Sequence, residues 1–257
     1  MATWNPDLYL KFKNERTQPS SDLVARIENL APSSILDLGC GPGNSTQVLR
    51  TRWPDAHITG LDSSTQMIAK AKSDYPDNHW LVADAVRWKP EKPFDLVYSN
   101  AVLQWIPDHQ SLPPSLSGWV APKGALAVQI PANYDCPLYQ AVLSVSAKQP
   151  WSQTMAGLEK RLHYHDASFY YPLLSALFPR VFLWYTTYYH VMDSHQALLE
   201  WYAGSALKPY LDSLSSDDAR QQFTAEILAT CKSDYPVEKD GKVLFPFKRL
   251  FFLVYKD

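Results

Sequence analysis

Apolar and polar positions fall into two regimes along the chain. From residue 34 to residue 130, short apolar runs at 34–39, 57–62, 80–83, 95–100 and 125–130 are each closed by glycine, proline, alanine, asparagine or an acid. Runs of that length, rich in Val, Ile and Leu, read as buried strands. Helical spacing of apolar residues fills the gaps at 45–53, 65–73 and about 112–120. Strands alternating with helices predict a doubly wound, mostly parallel α/β sheet. After Pro131 the rhythm breaks. Helical patterns are expected at 136–147, 168–178, 195–201 and 215–235, and apolar-aromatic strands at 181–192 and 243–255. Ahead of the sheet, Asn5 can cap a helix that opens on Pro6, and Ser20 and Ser21 can cap a second one through about residue 30. Three segments follow from this: lid helices over 1–32, a ligand-binding core over 33–132, and a segment 133–257 of helical cap insertions and terminal strands that complete the sheet.

The first strand carries the main chemical signal. It runs into Gly39-Cys40-Gly41-Pro42-Gly43, and a helix starts at once with Asn44-Ser45-Thr46. Glycine lets the backbone turn tightly and approach a ligand, because no Cβ intervenes. The free N–H groups of the following helix start attract oxygen atoms. Asp62 closes the second strand roughly 20 residues further on, the place where dinucleotide-type folds set a carboxylate on ribose hydroxyls. A helix cap before Ser63-Ser64 would also explain an acid there. Asp84 and Ala85 follow the third strand, where a carboxylate and adjacent backbone can read an adenine ring or where the acid can cap a turn. Asn100 ends the fourth. Ligands of doubly wound sheets sit beyond the carboxyl ends of strands, and Gly39, Asp62, Asp84 and Asn100 all lie at such ends.

Composition narrows the function classes. Hydrophobic residues make up 46% and charged residues 19% of the 257, so a packed core is expected. A formal net charge of −2 gives no footprint for nucleic acid. No apolar run reaches the ~20 residues of a membrane span, and the N-terminus is not a secretory signal. Cys40, Cys136 and Cys231 are scattered and odd in number, with neither metal nor disulfide spacing, and a reducing cytoplasm suits them. His163 and His165 stand close together, but no acid–histidine motif accompanies them and no metal is expected.

Asp37-Leu38-Gly39-Cys40-Gly41-Pro42-Gly43, Leu61-Asp62, Ala83-Asp84 and Asn100-Ala101-Val102-Leu103-Gln104-Trp105 resemble class I S-adenosylmethionine-dependent methyltransferases, with their Rossmann-like fold. The resemblance implies Gly39, Gly41 and Gly43 against the methionine part of S-adenosylmethionine, Asp62 on its ribose, Asp84 and Ala85 at its adenine, and the Asn100 backbone near its amine. A nearer likeness spans most of the chain. Trp4-Asn5-Pro6, Tyr9, Phe12 and Arg16, then Gly41 to Thr46, Leu103-Gln104-Trp105 with Pro107-Asp108-His109, Ala127-Val128-Gln129, Trp184 with Thr186 to His190, and Phe245-Pro246-Phe247 with Arg249-Leu250-Phe251 are similar to trans-aconitate 2-methyltransferases. That family forms a methyl ester on a small polycarboxylate. It implies Tyr9 and Arg16 at the cofactor, or Arg16 at a substrate carboxylate. Substrate contacts are implied for Trp105, His109, His190, Lys208 and Arg249. The chain departs from the family pattern at Tyr139, Ser205, Ala206 and Lys208, and lysine in place of arginine exchanges a planar fork for a point charge.

The expected chemistry is attack of an ionised substrate carboxylate on a sulfonium methyl, driven by alignment and exclusion of water, with no catalytic base. A small anionic acid is the expected partner. Alternatives are methylation of a carrier-bound acid of the malonyl-carrier type, or a non-catalytic module that only binds the cofactor. A nicotinamide dehydrogenase fits the glycine spacing less well.

Overall fold

A computed structural model describes residues 12–257. Seven strands form one sheet in the order β3-β2-β1-β4-β5-β7-β6. They are β1 (Ser34–Leu38), β2 (His57–Asp62), β3 (His79–Val82), β4 (Phe94–Asn100), β5 (Val120–Pro131), β6 (Arg180–Met192) and β7 (Val243–Tyr255). The first five pair in parallel, and β7 is antiparallel to both β5 and β6. The order reverses between β1 and β4, which opens a crevice at their carboxyl ends. The architecture is the mostly parallel, doubly wound sheet expected from the alternation.

Helices α1 (Lys13–Ala25), α2 (Asn44–Arg52) and α3 (Thr65–Asp74) precede or follow the first strands, and α4 (Leu112–Trp119) leads into β5. Helices α5 (Pro137–Ser146), α6 (Ser152–Met155) and α7 (Ala167–Ser175) lie between β5 and β6. Helices α8 (His195–Ala203), α9 (Lys208–Asp212) and α10 (Asp217–Cys231) lie between β6 and β7. Strand residues alternate between the two sheet faces. Ile35, Tyr98, Ala127 and Phe251 pack toward Leu23 and Val24 of α1 and Ile27 just beyond it. Leu36, Leu38, Val97 and Phe252 pack on the opposite face with Leu116, Trp119 and Tyr170. The cap helices share a core of their own, built on Leu138, Trp201, Tyr210, Phe223 and Phe245.

The N-terminal expectation needs correction. The helix that opens on Pro6 lies outside the described residues. No new helix begins at Ser20 or Ser21, because α1 runs unbroken through Pro19. The Ser20 hydroxyl accepts from the Tyr98 hydroxyl at 2.7 Å rather than capping a helix. The helix stops at Ala25 rather than near residue 30, and Asn29 then takes a left-handed φ of 55°. The short helices α6 and α9 carry too few residues to show a helical period.

Candidate functional site: a glycine cradle and a buried polar row

The β1–α2 turn owes its shape to a buried acid. Asp37 is fully buried, and its Oδ2 accepts from Ser45 Oγ at 2.7 Å and Thr46 Oγ1 at 2.6 Å. Burial pushes its carboxyl up to about 6 against those two hydroxyl donors. These bonds tie the first turn of α2 to the end of β1, so the intervening glycines must fold tightly. Gly39, Gly41 and Gly43 take φ of 72°, 54° and 96°. A Cβ on Gly39 would stand 2.0 Å from Val102, whereas a Cβ on Gly41 would meet nothing within 4 Å. The first glycine is forced by packing, and the second faces open space at the strand ends.

Asp62 grips the same loop from β2. Its Oδ2 accepts from the Gly41 N–H at 3.0 Å, and its Oδ1 from the Ser64 N–H at 2.8 Å. Burial raises its carboxyl above the ordinary range, while the Ser64 and Gly41 amides work the other way. Each oxygen retains a lone pair for a further donor. The cap reading of this acid is what its bonds show, and they leave acceptor capacity for a further donor.

Beyond β4, Asn100 is followed by Ala101 in a left-handed conformation with φ of 59°, strained for a residue with a Cβ. The Ala101 N–H is held by the Gln129 carbonyl at 3.0 Å. Arg16, Thr17 and Ser20 of α1 then roof the cradle over Gly39, Cys40, Gly41, Asn44 and Asn100, leaving a cavity of about 20 Å³. That volume is close to a single water site. Side chains of α1 thus narrow the cradle, and access for a nucleotide requires their displacement. Buried polar atoms there have no hydrogen-bond partner: Thr17 Oγ1, Asn44 Nδ2, Asn100 Oδ1 and Asp37 Oδ1. Native proteins satisfy nearly all such groups, so this set fits a polar ligand, and the residues present suit an adenosyl-sulfonium cofactor.

A row of polar side chains continues from the cradle. By the two-residue period of strands, Asp37, Asn100, Gln129, Arg249 and His190 share the sheet face that carries Ile35, Tyr98, Ala127, Phe251 and Tyr188. All five sit toward one end of the sheet. Arg249 is 4% exposed and donates to Gln129 Oε1 at 3.1 Å. Its guanidinium lies 4.6 Å from the centre of Phe247. His190 is 6% exposed, and its ring centre lies 4.6 Å from Trp201 and 6.0 Å from Phe247. Arg16 lies over the other tryptophan contact, 4.5 Å from the Trp201 ring, and donates to the Trp201 carbonyl at 3.1 Å. Burial, then Arg249 and Arg16, push the His190 imidazole down to about 4. Arg16 is therefore shared, lining the cradle and acting on His190.

Other expected site residues fall elsewhere. Tyr9 lies outside the described residues. Trp105 is half-buried on the single 3-10 turn Leu103–Trp105 just past β4. His109, expected against substrate, has both ring nitrogens engaged inside the protein. Its Nε2 faces the Leu103 carbonyl at 2.9 Å and must carry the proton, so Nδ1 accepts from the Tyr170 hydroxyl. Burial, with His165 and His163 nearby, pushes it down to about 4. It pins the 103–105 turn to α7. Lys208, expected on a carboxylate, instead pairs with Asp212 one turn on, at 2.8 Å. Asp84 is exposed, and its Oδ1 caps a turn by accepting from the Val86 N–H at 2.9 Å. Ala85 lines a separate cavity of about 570 Å³ with Leu38, Ile106 and Trp119, beneath the β3–β4 connection. The departing residues belong to cap packing: Tyr139 abuts Tyr164, Ser205 bonds the Trp201 carbonyl, and Ala206 packs on the cap core. Asp37 and Gln129 were not among the expected site residues, since a polar residue inside an apolar strand carries no sequence mark of its own. Among the described residues, no group of three or more metal-ligating side chains comes together.

The fold and cradle define a class I S-adenosylmethionine-dependent methyltransferase. Residues 35–124 match the methyltransferase domain family. Solved structures that share the fold include YcgJ from Bacillus subtilis, with a TM-score of 0.59 at 14% identity over 93% of this chain and 98% of that one. Another is Haemonchus contortus phosphoethanolamine N-methyltransferase 2 in complex with S-adenosyl-L-methionine, with a TM-score of 0.56 at 15% identity over 93% and 53%. At the level of sequence, the trans-aconitate 2-methyltransferase of Yersinia pestis (strain Pestoides F) is 44% identical over 257 residues, covering 99% of each chain. That of Azoarcus sp. (strain BH72) is 42% identical over 251 residues, covering 98% of each. The chain belongs to the trans-aconitate 2-methyltransferase family.

Proposed function

We propose that this enzyme methylates a carboxylate of a small polycarboxylic acid, trans-aconitate or a close relative, to give the methyl ester. The observation that carries the reading is the polar row itself, which runs on one sheet face from the glycine cradle to the buried Gln129, Arg249 and His190. S-adenosylmethionine, bound in the cradle, supplies an electrophilic methyl group on a positively charged sulfur. Gly41 admits it closely, Asp62 accepts from its ribose hydroxyls, and Asn100 and Asn44 offer the buried polar atoms described above, whereas Gly43, expected at the cofactor, packs against Tyr75 and Trp80, and Asp84 caps its own turn.

The acceptor needs no catalytic base, because carboxylic acids titrate near ~4 and are ionised at neutral pH. The cysteines are poor nucleophiles: burial pushes the Cys40 and Cys136 thiols up. Attack by a carboxylate on a sulfonium cancels charge, so a dry, aromatic-walled site favours it over water. Trp201, Phe247 and Phe12 supply such walls, and Trp105 closes the β4 side. Arg16, His190 and Arg249 supply the attraction for an anion. Lys208 is taken up by its pair with Asp212, and His109 acts only by holding the 103–105 turn that carries Trp105. The cytoplasm suits three cysteines that are all free and buried, and among the described residues no helix is long and apolar enough to cross a membrane.

The experiment is transfer from methyl-labelled S-adenosylmethionine to a panel of di- and tricarboxylic acids and carrier-bound acids. Base-labile label on a small acid is the expected outcome. Label found only on carrier-bound acids, or cofactor binding with no transfer to any acceptor, overturns the reading.

A further inference from the structure

We infer that Gln104 is a positioning residue for cofactor binding: its side-chain amide locks Ala101 in a left-handed conformation, and that one strained residue holds Asn100 and Val102 together against the glycine turn. The inference rests on the placement of S-adenosylmethionine in the cradle and adds a residue that acts there through its neighbours.

Ala101 takes a φ of 59°. A Cβ makes that region costly, and glycine, asparagine and aspartate are the residues that visit it readily. Alanine has no polar side chain with which to hold such a turn locally, so other groups must hold it. The two peptide groups that flank Ala101 are both tied. Its N–H donates to the Gln129 carbonyl at 3.0 Å, and its carbonyl accepts from Gln104 Nε2 at 2.7 Å. One peptide is thereby fixed to β5 and the next to Gln104, which sets the torsion between them.

The residues on either side depend on that torsion. Asn100 lines the cradle cavity with Gly39 and Gly41, and its buried Oδ1 has no partner. Val102, on the far side of Ala101, abuts the first glycine so closely that a Cβ on Gly39 would collide with its side chain. Rotation of Ala101 into an ordinary right-handed or extended conformation would swing Asn100 and Val102 apart, and one of them would leave the glycine turn.

Gln104 is itself held in place. It is 5% exposed, and its own carbonyl accepts from the His163 N–H at 2.8 Å. The orientation of its amide follows from the bond to Ala101, because a carbonyl can only accept and so must face the NH₂. The Gln104 Oε1 is left buried with no partner. An apolar side chain of the same size would fill this place without an unsatisfied acceptor. Packing therefore does not account for an amide here, whereas the donor to Ala101 does.

Without that donor, Ala101 would occupy the left-handed state only part of the time, and apparent affinity falls with the competent fraction. Glycine populates positive φ about as readily as negative φ, so a glycine at position 101 would make the clamp nearly dispensable. This separates positioning through Ala101 from core packing and from direct contact with the cofactor, since neither of those depends on the residue at 101.

A double-mutant cycle on the full chain tests the inference, with S-adenosylhomocysteine affinity read by calorimetry. Gln104→Met keeps the length of the side chain and removes the donor. It is expected to weaken binding about tenfold, which is about 1.4 kcal/mol and comparable to the left-handed penalty that a Cβ carries. Ala101→Gly alone is expected to bind as wild type does. In the Ala101→Gly background, Gln104→Met is expected to cost about threefold at most. Equal losses in the two backgrounds, or no loss in either, overturn the inference. If Gln104→Met shows no cooperative thermal transition, Gln104→Asn, whose amide stops one methylene short of Ala101, goes through the same cycle with the same expected ratio. Wild-type protein that binds no S-adenosylhomocysteine would remove the cofactor from the cradle. Wild-type binding with an uncoupled cycle would leave the cofactor there and remove only the role of Gln104.

Discussion

Asp62 spends one carboxylate oxygen on Gly41 and the other on Ser64, and this makes its replacement informative. Asp62→Ala should weaken S-adenosylhomocysteine binding by about 10- to 100-fold, the equivalent of one charge-assisted hydrogen bond at about 1.5–3 kcal/mol, and should lower the thermal midpoint by several degrees, because the Gly41 and Ser64 amides lose their acceptor. Asp62→Asn should be no rescue. Its amide nitrogen would face a backbone N–H where an acceptor is needed. Calorimetric affinity close to wild type in either variant would remove Asp62 from the cofactor site. The place of Asp62 at the strand end beside the glycine loop could be read from sequence, because an apolar strand ended in an acid at a telling distance from the glycines. Asp37 and Gln129 could not, since each lies inside a strand where its neighbours read as core. His109 was misread for a related reason: its partner Tyr170 is 61 residues away, and no local pattern reveals that a loop histidine is already satisfied.

At the scale of elements, the strand–helix alternation was legible through β5 because each strand is short, apolar and punctuated. The cap was legible only as a set of helices, with α6 and α9 too short to show periodicity. The behaviour of α1 was hidden, because Pro19 and two serines imitate a helix start, and only the Tyr98 hydroxyl bond to Ser20 shows why the helix continues. That bond, with Tyr188 donating to Asp22 at 2.6 Å, fastens the helix to the sheet while Arg16 and Thr17 reach over the cradle. A second fastening joins the 103–105 turn to α7 through His109 and Tyr170. Tyr170→Phe strips the donor from a buried imidazole nitrogen at a cost of about 1–3 kcal/mol. The expected result is a thermal midpoint lower by several degrees and a kcat that falls more than cofactor affinity, as Trp105 loses its support. Unchanged stability and turnover in this variant would show that the bond holds nothing in place.

For the molecule as a whole, buried titratable groups set opposing pH trends whose balance can be worked out. His109 and His190 are held down to about 4, and His165 is also lowered. The unfolded chain takes up these protons as pH falls through about 6.5, while the folded chain refuses those of His109 and His190 until near 4 and delays that of His165, so acid removes stability as pH falls below about 6.5. Asp37, raised to about 6, acts in the other direction, since the folded state binds its proton before the unfolded chain does near ~3.9. Asp62 is shifted the same way. The histidines outnumber the carboxylates and begin to act at higher pH, so stability to urea should decline from pH 7 to pH 5. His190→Gln should flatten that decline by removing one of its contributors. Saturating S-adenosylhomocysteine with trans-aconitate should flatten it in the wild type as well, because a carboxylate beside His190 lets the folded state keep the proton it otherwise rejects. Slopes that coincide for wild type, variant and ternary complex would mean that His190 neither sets the acid trend nor senses the bound acid.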